Sequence, residues 1–140
     1  MSVSIEYQHQ PWGEGVALVF SANVSSDELL QATTNIADSE QASTLQYRVV
    51  DLNAVDSLEI SAEKLQALAR GDKDLLALNP DLKFAFICQH QVVQSVVQMW
   101  CTYIDQCEQR VRQFSSLELA QSWLALQADP ESPAADRVDS

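Results

Sequence analysis

The chain has 140 residues, 46% of them hydrophobic and 20% charged, which suits one domain with a sizeable core and argues against a disordered chain. Twenty acidic residues face eight basic ones, a formal net charge of −12, and this argues against nucleic acid and against anionic membrane surfaces, both of which need Lys and Arg. No run of about 18 apolar residues is present and residues 1–20 lack the pattern of a signal peptide, so no membrane insertion and a cytoplasmic location are expected.

Val3-Ser4-Ile5-Glu6-Tyr7 alternates apolar with polar residues, the two-residue period of a half-buried strand. A turn at Pro11-Trp12-Gly13-Glu14-Gly15 leads into the apolar run 16–20, and the pair reads as an N-terminal hairpin. Ser25 and Glu28 stand at capping-box spacing and open a helix with Leu29, Ala32, Thr33 and Ile36 on one face. The polar segment 38–44 reads as a loop. Residues 47–52, β-branched at the centre, form the third strand, and a loop is expected over 53–60. Ser61 then caps a helix carrying Leu65, Leu68, Ala69, Leu75 and Leu76 on its inner side, which Asn79-Pro80 ends. The apolar run 82–88 has the character of a strand covered on both faces. A helix over 91–107, a short strand over 110–114 and a last helix opened by Ser115 and Glu118 complete the pattern. Residues 129–140 have no periodicity and are expected to be a disordered acidic tail after a single domain over 1–128. The order β-β-α-β-α-β-α-β-α predicts an α/β fold, with a mostly parallel five-stranded sheet and an antiparallel opening hairpin.

Little in the chain suits catalysis. The three glycines, Gly13, Gly15 and Gly71, do not form a phosphate-cradling loop before a helix. His9 and His90 are the only histidines, and Cys88, Cys101 and Cys107 lack zinc-knuckle spacing, so no metal and no cofactor is expected. Three cysteines with no close pairing are expected to be reduced. The best enzyme candidate is Cys88 with His90 at the end of a strand, where sites of α/β proteins gather. A small buried thiol explains Cys88 equally well.

The stretch Val49-Val50-Asp51-Leu52-Asn53-Ala54-Val55-Asp56-Ser57-Leu58-Glu59-Ile60-Ser61-Ala62 runs from a strand through an acidic loop to a serine that caps a helix. It resembles the SpoIIAA-like (STAS) superfamily, whose members include anti-sigma-factor antagonists, and the element order over residues 3–127 is similar too. There the corresponding place reads Asp-Ser-Ser-Gly. Glu59 stands in place of the Asp, Ile60 of the first serine, Ser61 of the phosphorylated serine and Ala62 of the glycine. These departures make the chain look more like the uncharacterised bacterial STAS-like or CRAL-TRIO-like branch. The resemblance implies a non-enzymatic regulatory module with an unknown protein partner and a switch or interaction loop at Asp56, Glu59 and Ser61. Read alone, Ser61 is an N-cap and the acids are a solvated loop.

The helix after Cys88 is apolar over more than one stripe: Val93, Val97, Trp100 and Ile104 on one side, Val92, Val96, Met99 and Tyr103 on another. A helix on a sheet needs one such face, so the excess predicts an interface, most simply a homodimer. The alternative is a small apolar ligand, as in a lipid carrier, in a pocket lined by Phe84, Phe86, Met99 and Trp100.

Overall fold

The computed structural model describes residues 3–11, 13–104 and 110–128. Trp12, Cys107 and the expected tail over 129–140 lie outside the described residues. The elements run β1 (Val3–Gln10), β2 (Gly13–Ser25), α1 (Ser26–Ala37), β3 (Tyr47–Glu59), α2 (Ala62–Leu78), β4 (Lys83–Ile87), α3 (Gln91–Ile104), β5 (Val111–Phe114) and α4 (Leu117–Ala128). The strands lie in one sheet in the order β1-β2-β3-β4-β5. β1 pairs antiparallel with β2, and the other neighbours pair in parallel.

Each crossover from β2 onward steps to the adjacent strand in the same direction. Right-handed connections of that kind place their helices on one face of the sheet. The inner sides of α1, α2 and α3 accordingly bury Leu29, Ile36, Leu65, Leu68, Val93, Val97 and Trp100 against Leu18, Phe20, Val50, Phe84 and Phe86. α4 has no further strand to reach and covers the opposite face, packing Ala120, Trp123 and Leu124 on Tyr47, Val49, Ala85 and Ile87. β4 is therefore covered on both sides, as its apolar run predicts. Gly15 lies so close to the Tyr47 ring that any side chain there would collide with it. This close approach gives that glycine a packing role.

The structure corrects the loop expected over 53–60. Residues 53–59 are strand, not loop. β4 leaves β3 after the Asp51–Ile87 pair, while β2 and β3 continue side by side to Ser25 and Glu59. Two register shifts, between Val19 and Ser21 and between Ala22 and Asn23, each give β3 one extra residue. These bulges rotate the strand, so that Leu52, Val55 and Leu58, spaced by three, all turn inward, the first two buried and Leu58 half-buried. Ala22, beside the second shift, takes φ 60°, a left-handed conformation that costs a non-glycine residue energy.

Candidate functional site

The β2–β3 ribbon sets the geometry at the carboxyl edge of the sheet. Ser25 and Glu59 face each other across it, and a helix starts immediately beyond each strand. Ser25 accepts from the Glu28 backbone N–H at 3.3 Å, while its own N–H donates to the Glu28 carboxylate at 3.2 Å, closing the expected capping box. At α2 the Lys64 N–H donates to Ser61 Oγ at 3.2 Å. The Ser26 hydroxyl ties the two starts together by donating to the Glu59 carbonyl at 3.0 Å. Lys64 Nζ and Asp27 Oδ1 lie 3.5 Å apart across the gap, both well exposed.

The result is an open depression of about 380 Å³ lined by Ser25, Ser26, Asp27, Glu59, Ile60, Ser61 and Lys64. Two helix N-termini, each with a partial positive charge, meet there beside Lys64 and the carboxylates of Asp27 and Glu59. Of the residues singled out in the sequence, Glu59 and Ser61 come together here; Asp56 is exposed on β3 and does not line the depression. The sequence marks Ser25 only as a helix cap and does not connect Ser25, Ser26, Asp27 or Lys64 with Ser61, because only the strand register brings α1 to α2. The twin serine caps ahead of apolar helices were the available signal.

Cys88 is buried, and its thiol donates to the backbone carbonyl of His90 at 3.3 Å. Burial pushes its pKa up, against a smaller lowering by the His90 backbone. This contact engages the His90 backbone and leaves the imidazole out of it, whereas a nucleophile needs the opposite: a lowered pKa and an imidazole partner. Cys101 is disulfide-bonded, a correction to the fully reduced set expected from the sequence, because spacing along a chain does not report which thiols meet in space. Among the described residues, no group of three or more His, Cys, Asp and Glu is placed to hold a metal ion. None of the described helices is long and apolar enough to cross a membrane.

The α3 residues divide. Val93, Val97, Trp100 and Ile104 are buried in the core. Val92 is 72% exposed and Met99 44%, while Val96 and Tyr103 are partly buried against the core and Tyr103 accepts from Gln66 Nε2 at 3.3 Å.

A polar cluster that no sequence motif marks lies under α2. The Arg48 guanidinium forks onto both carboxylate oxygens of Asp72, at 2.9 and 3.0 Å. Trp100 Nε1 donates to the same carboxylate at 2.8 Å, and the guanidinium lies 4.1 Å above the Phe84 ring centre. Arg48 and Asp72 are 2% and 3% exposed, and Arg48 Nε has no hydrogen-bond partner among the described residues. Beside the cluster is a cavity of about 50 Å³ between the sheet and α1, α2 and α3. Phe86 and Trp100 line it; Phe84 and Met99 do not.

Neither the protein-family models nor the curated proteins contain a match to the chain. Solved structures do resemble it. One is an uncharacterized protein of the DUF3478 family with a SpoIIAA-like fold from Shewanella loihica PV-4, at TM-score 0.56 and 15% identity, covering 88% of this chain and 93% of that one. Another is the anti-sigma factor antagonist SpoIIAA in its unphosphorylated form, at TM-score 0.56 and 8% identity, covering 86% of this chain and 97% of that one. Identities this low speak to architecture alone, and the architecture is clear: the chain has the SpoIIAA-like fold.

Proposed function

We propose that this chain is a non-enzymatic protein-interaction module, and that its contact surface is the carboxyl edge of the sheet around Glu59, Ile60 and Ser61. The observation that carries the reading is the convergence of two serine-capped helix N-termini on one open depression at the end of the ribbon. The similarity in fold to an anti-sigma factor antagonist, a regulatory protein by its name, supports it. Ile60 is half-buried and Ser61 exposed, so a partner meets an apolar side chain beside a hydroxyl. Phosphorylation of that hydroxyl would set a dianion among Asp27, Glu59 and Glu63 and change the surface from mixed to strongly negative.

A photo-crosslinking side chain at exposed Ala62, compared with one at exposed His9 in the hairpin, tests the surface. A protein captured from position 62 and not from position 9 is expected; equal or absent capture rejects the surface. Ser61→Asp keeps a good N-cap and adds charge, while Ser61→Asn keeps the cap without charge. If the hydroxyl is a switch, the first loses capture and the second retains it, both at wild-type stability.

Self-association through α3 is a second reading, favoured by Val92 and Met99 lying seven residues apart on one side of the helix and both exposed. Light scattering of wild type against Val92→Lys decides it. A dimer that the charge dissociates supports the interface, and a wild-type monomer at high micromolar concentration removes it.

A further inference from the structure

α1 and α2 lie side by side on one face of the sheet, both running from its carboxyl edge, and an open groove of about 300 Å³ separates their outer sides. Leu68 and Leu75 form its buried floor, with Leu30, Ala37, Ala67 and Gly71 as walls. Leu78, at the far end, is 58% exposed. Gly71 stands in the middle of a 17-residue helix, where glycine lowers stability relative to alanine. Packing within the chain does not require it: a Cβ at Gly71 would meet no atom within 4 Å. At Gly15, by contrast, the Tyr47 ring already fills that place. The space over Gly71 is open to whatever approaches from outside, and Ala37 and Ala67 keep the walls low.

The charges along the groove favour one kind of occupant. Among the described residues no Lys, Arg or His lines it. Of its two acids, Asp72 is neutralised by Arg48, while Asp74 is exposed and makes no ion pair among the described residues. α1 and α2 both finish at the same end of the groove, and neither carries a basic residue in its last turn. Each C-terminus holds a partial negative charge that no last-turn cation offsets, and Asp38 adds a full one beside α1. The groove is therefore apolar along its floor and negative at its C-terminal end, whereas Lys64 and Asp27 pair across the other end. A cationic group gains there, and a second copy of this chain, itself at −12, is repelled.

The walls are the sides of helices whose backbone groups are already bonded along their own axes. An extended segment would find no partners there for its N–H and C=O groups, and a helix brings its own. The α2 wall from Ala67 to Leu78 rises about 16 Å, the length of about three helical turns. We propose that this groove seats an amphipathic, basic helix of a partner protein, with an apolar ridge passing over Gly71 and cationic side chains at Asp38 and Asp74. This surface is separate from the one at Ser61, and either can fail without the other.

The probes are three synthetic peptides of about four helical turns each, added to the full chain. The first carries leucines at helical spacing on one side and lysines on the other. The second has the same composition with the leucines scattered, and the third has glutamate for every lysine. Binding is followed through the methyl resonances of Leu30, Leu75 and Leu78. The first peptide is expected to bind about ten-fold more tightly than either of the others. Gly71→Leu replaces a helix-interior glycine and collides with nothing in the chain, so it should raise the melting temperature and yet weaken the first peptide about ten-fold. Asp38→Asn with Asp74→Asn should weaken it several-fold, a loss that shrinks as salt rises. Ser61→Asp, at the other surface, should not weaken it. No shifts at those methyls, a scattered or glutamate peptide binding as tightly as the first, Gly71→Leu binding like wild type, or loss of binding in Ser61→Asp would each overturn the proposal.

Discussion

Arg48 sits in the middle of an apolar strand, on the same side as Val50 and Leu52, and Asp72 sits on the leucine-bearing side of α2 between Leu68 and Leu75. Two opposite charges at inward positions of two elements are a readable signal for a buried ion pair, but periodicity weighs apolar residues and passes over the exceptions. Asp72→Ala leaves a buried guanidinium and a buried indole N–H without their acceptor. It is expected to cost about 3–5 kcal/mol in urea unfolding. The double substitution Arg48→Met with Asp72→Leu removes both charges and should recover most of that loss, although the Trp100 N–H stays unpaired. A double variant no more stable than the single would mean that the cluster acts through shape, not charge. The same interior governs alkaline stability. Burial raises the pKa of Tyr47, helped by the charge of Glu6, and burial raises that of Cys88. The folded state therefore holds these protons more tightly than the unfolded state, and the stability they contribute is full at neutral pH and fades as pH rises past the ordinary thiol and phenol values of about 8.5 and 10. The urea midpoint should be flat from pH 7 to 8 and fall above about pH 9. Tyr47→Phe loses the hydrogen bond to Gln8 and about 1 kcal/mol at pH 7, yet its decline above about pH 10 should be shallower.

At the scale of elements, the helices and the short strands were legible because each has one period and a recognisable start. β3 was legible only to Leu52. Beyond it, Leu52, Val55 and Leu58 repeat every three residues, which matches neither the strand period of two nor the helix period of 3.6. The two bulges reconcile that spacing with a strand, and a bulge is a relation between two chains that one segment does not contain. The same limit hid half of the candidate site. Ser61 stood out by its resemblance to a phosphorylated serine, but Ser25, Ser26 and Lys64 join it only through the Ser25–Glu59 pairing. Ala22 gives a way to probe the ribbon. At φ 60° an alanine is strained and a glycine is not, so Ala22→Gly should stabilise the protein by up to about 1 kcal/mol despite the greater freedom of glycine when unfolded. A loss of about 1 kcal/mol instead would show that the backbone at Ala22 is not left-handed in solution.

For the whole molecule, handedness and charge do different work. Sequential strand order with right-handed crossovers gathers α1, α2 and α3 on one face and leaves α4 alone on the other, over β3 and β4. The part of that face formed by β1 and β2 carries Ser4, Glu6 and Gln8 beside Ala17 and Val19, and Val19 is 42% exposed. A polar outer strand is what an antiparallel edge open to water requires, so the hairpin alternates where β4 does not. Charge adds nothing to this arrangement and acts against it. Net −12 on a chain this small is self-repulsion that folding concentrates, and among the described residues few ion pairs offset it: Arg48 with Asp72 inside, Lys64 with Asp27 outside, and His9 with Glu14 when the histidine is protonated. Screening should relieve the folded state more than the expanded one. Raising sodium chloride from about 0.01 to about 0.5 M shortens the screening length from about 30 Å to a few ångströms and is expected to raise the melting temperature by a few degrees. Replacing Lys64 by Gln removes the surface pair and should leave that salt response nearly unchanged, because an exposed pair contributes little. A melting temperature that falls with salt would place the balance with the ion pairs and against the net charge.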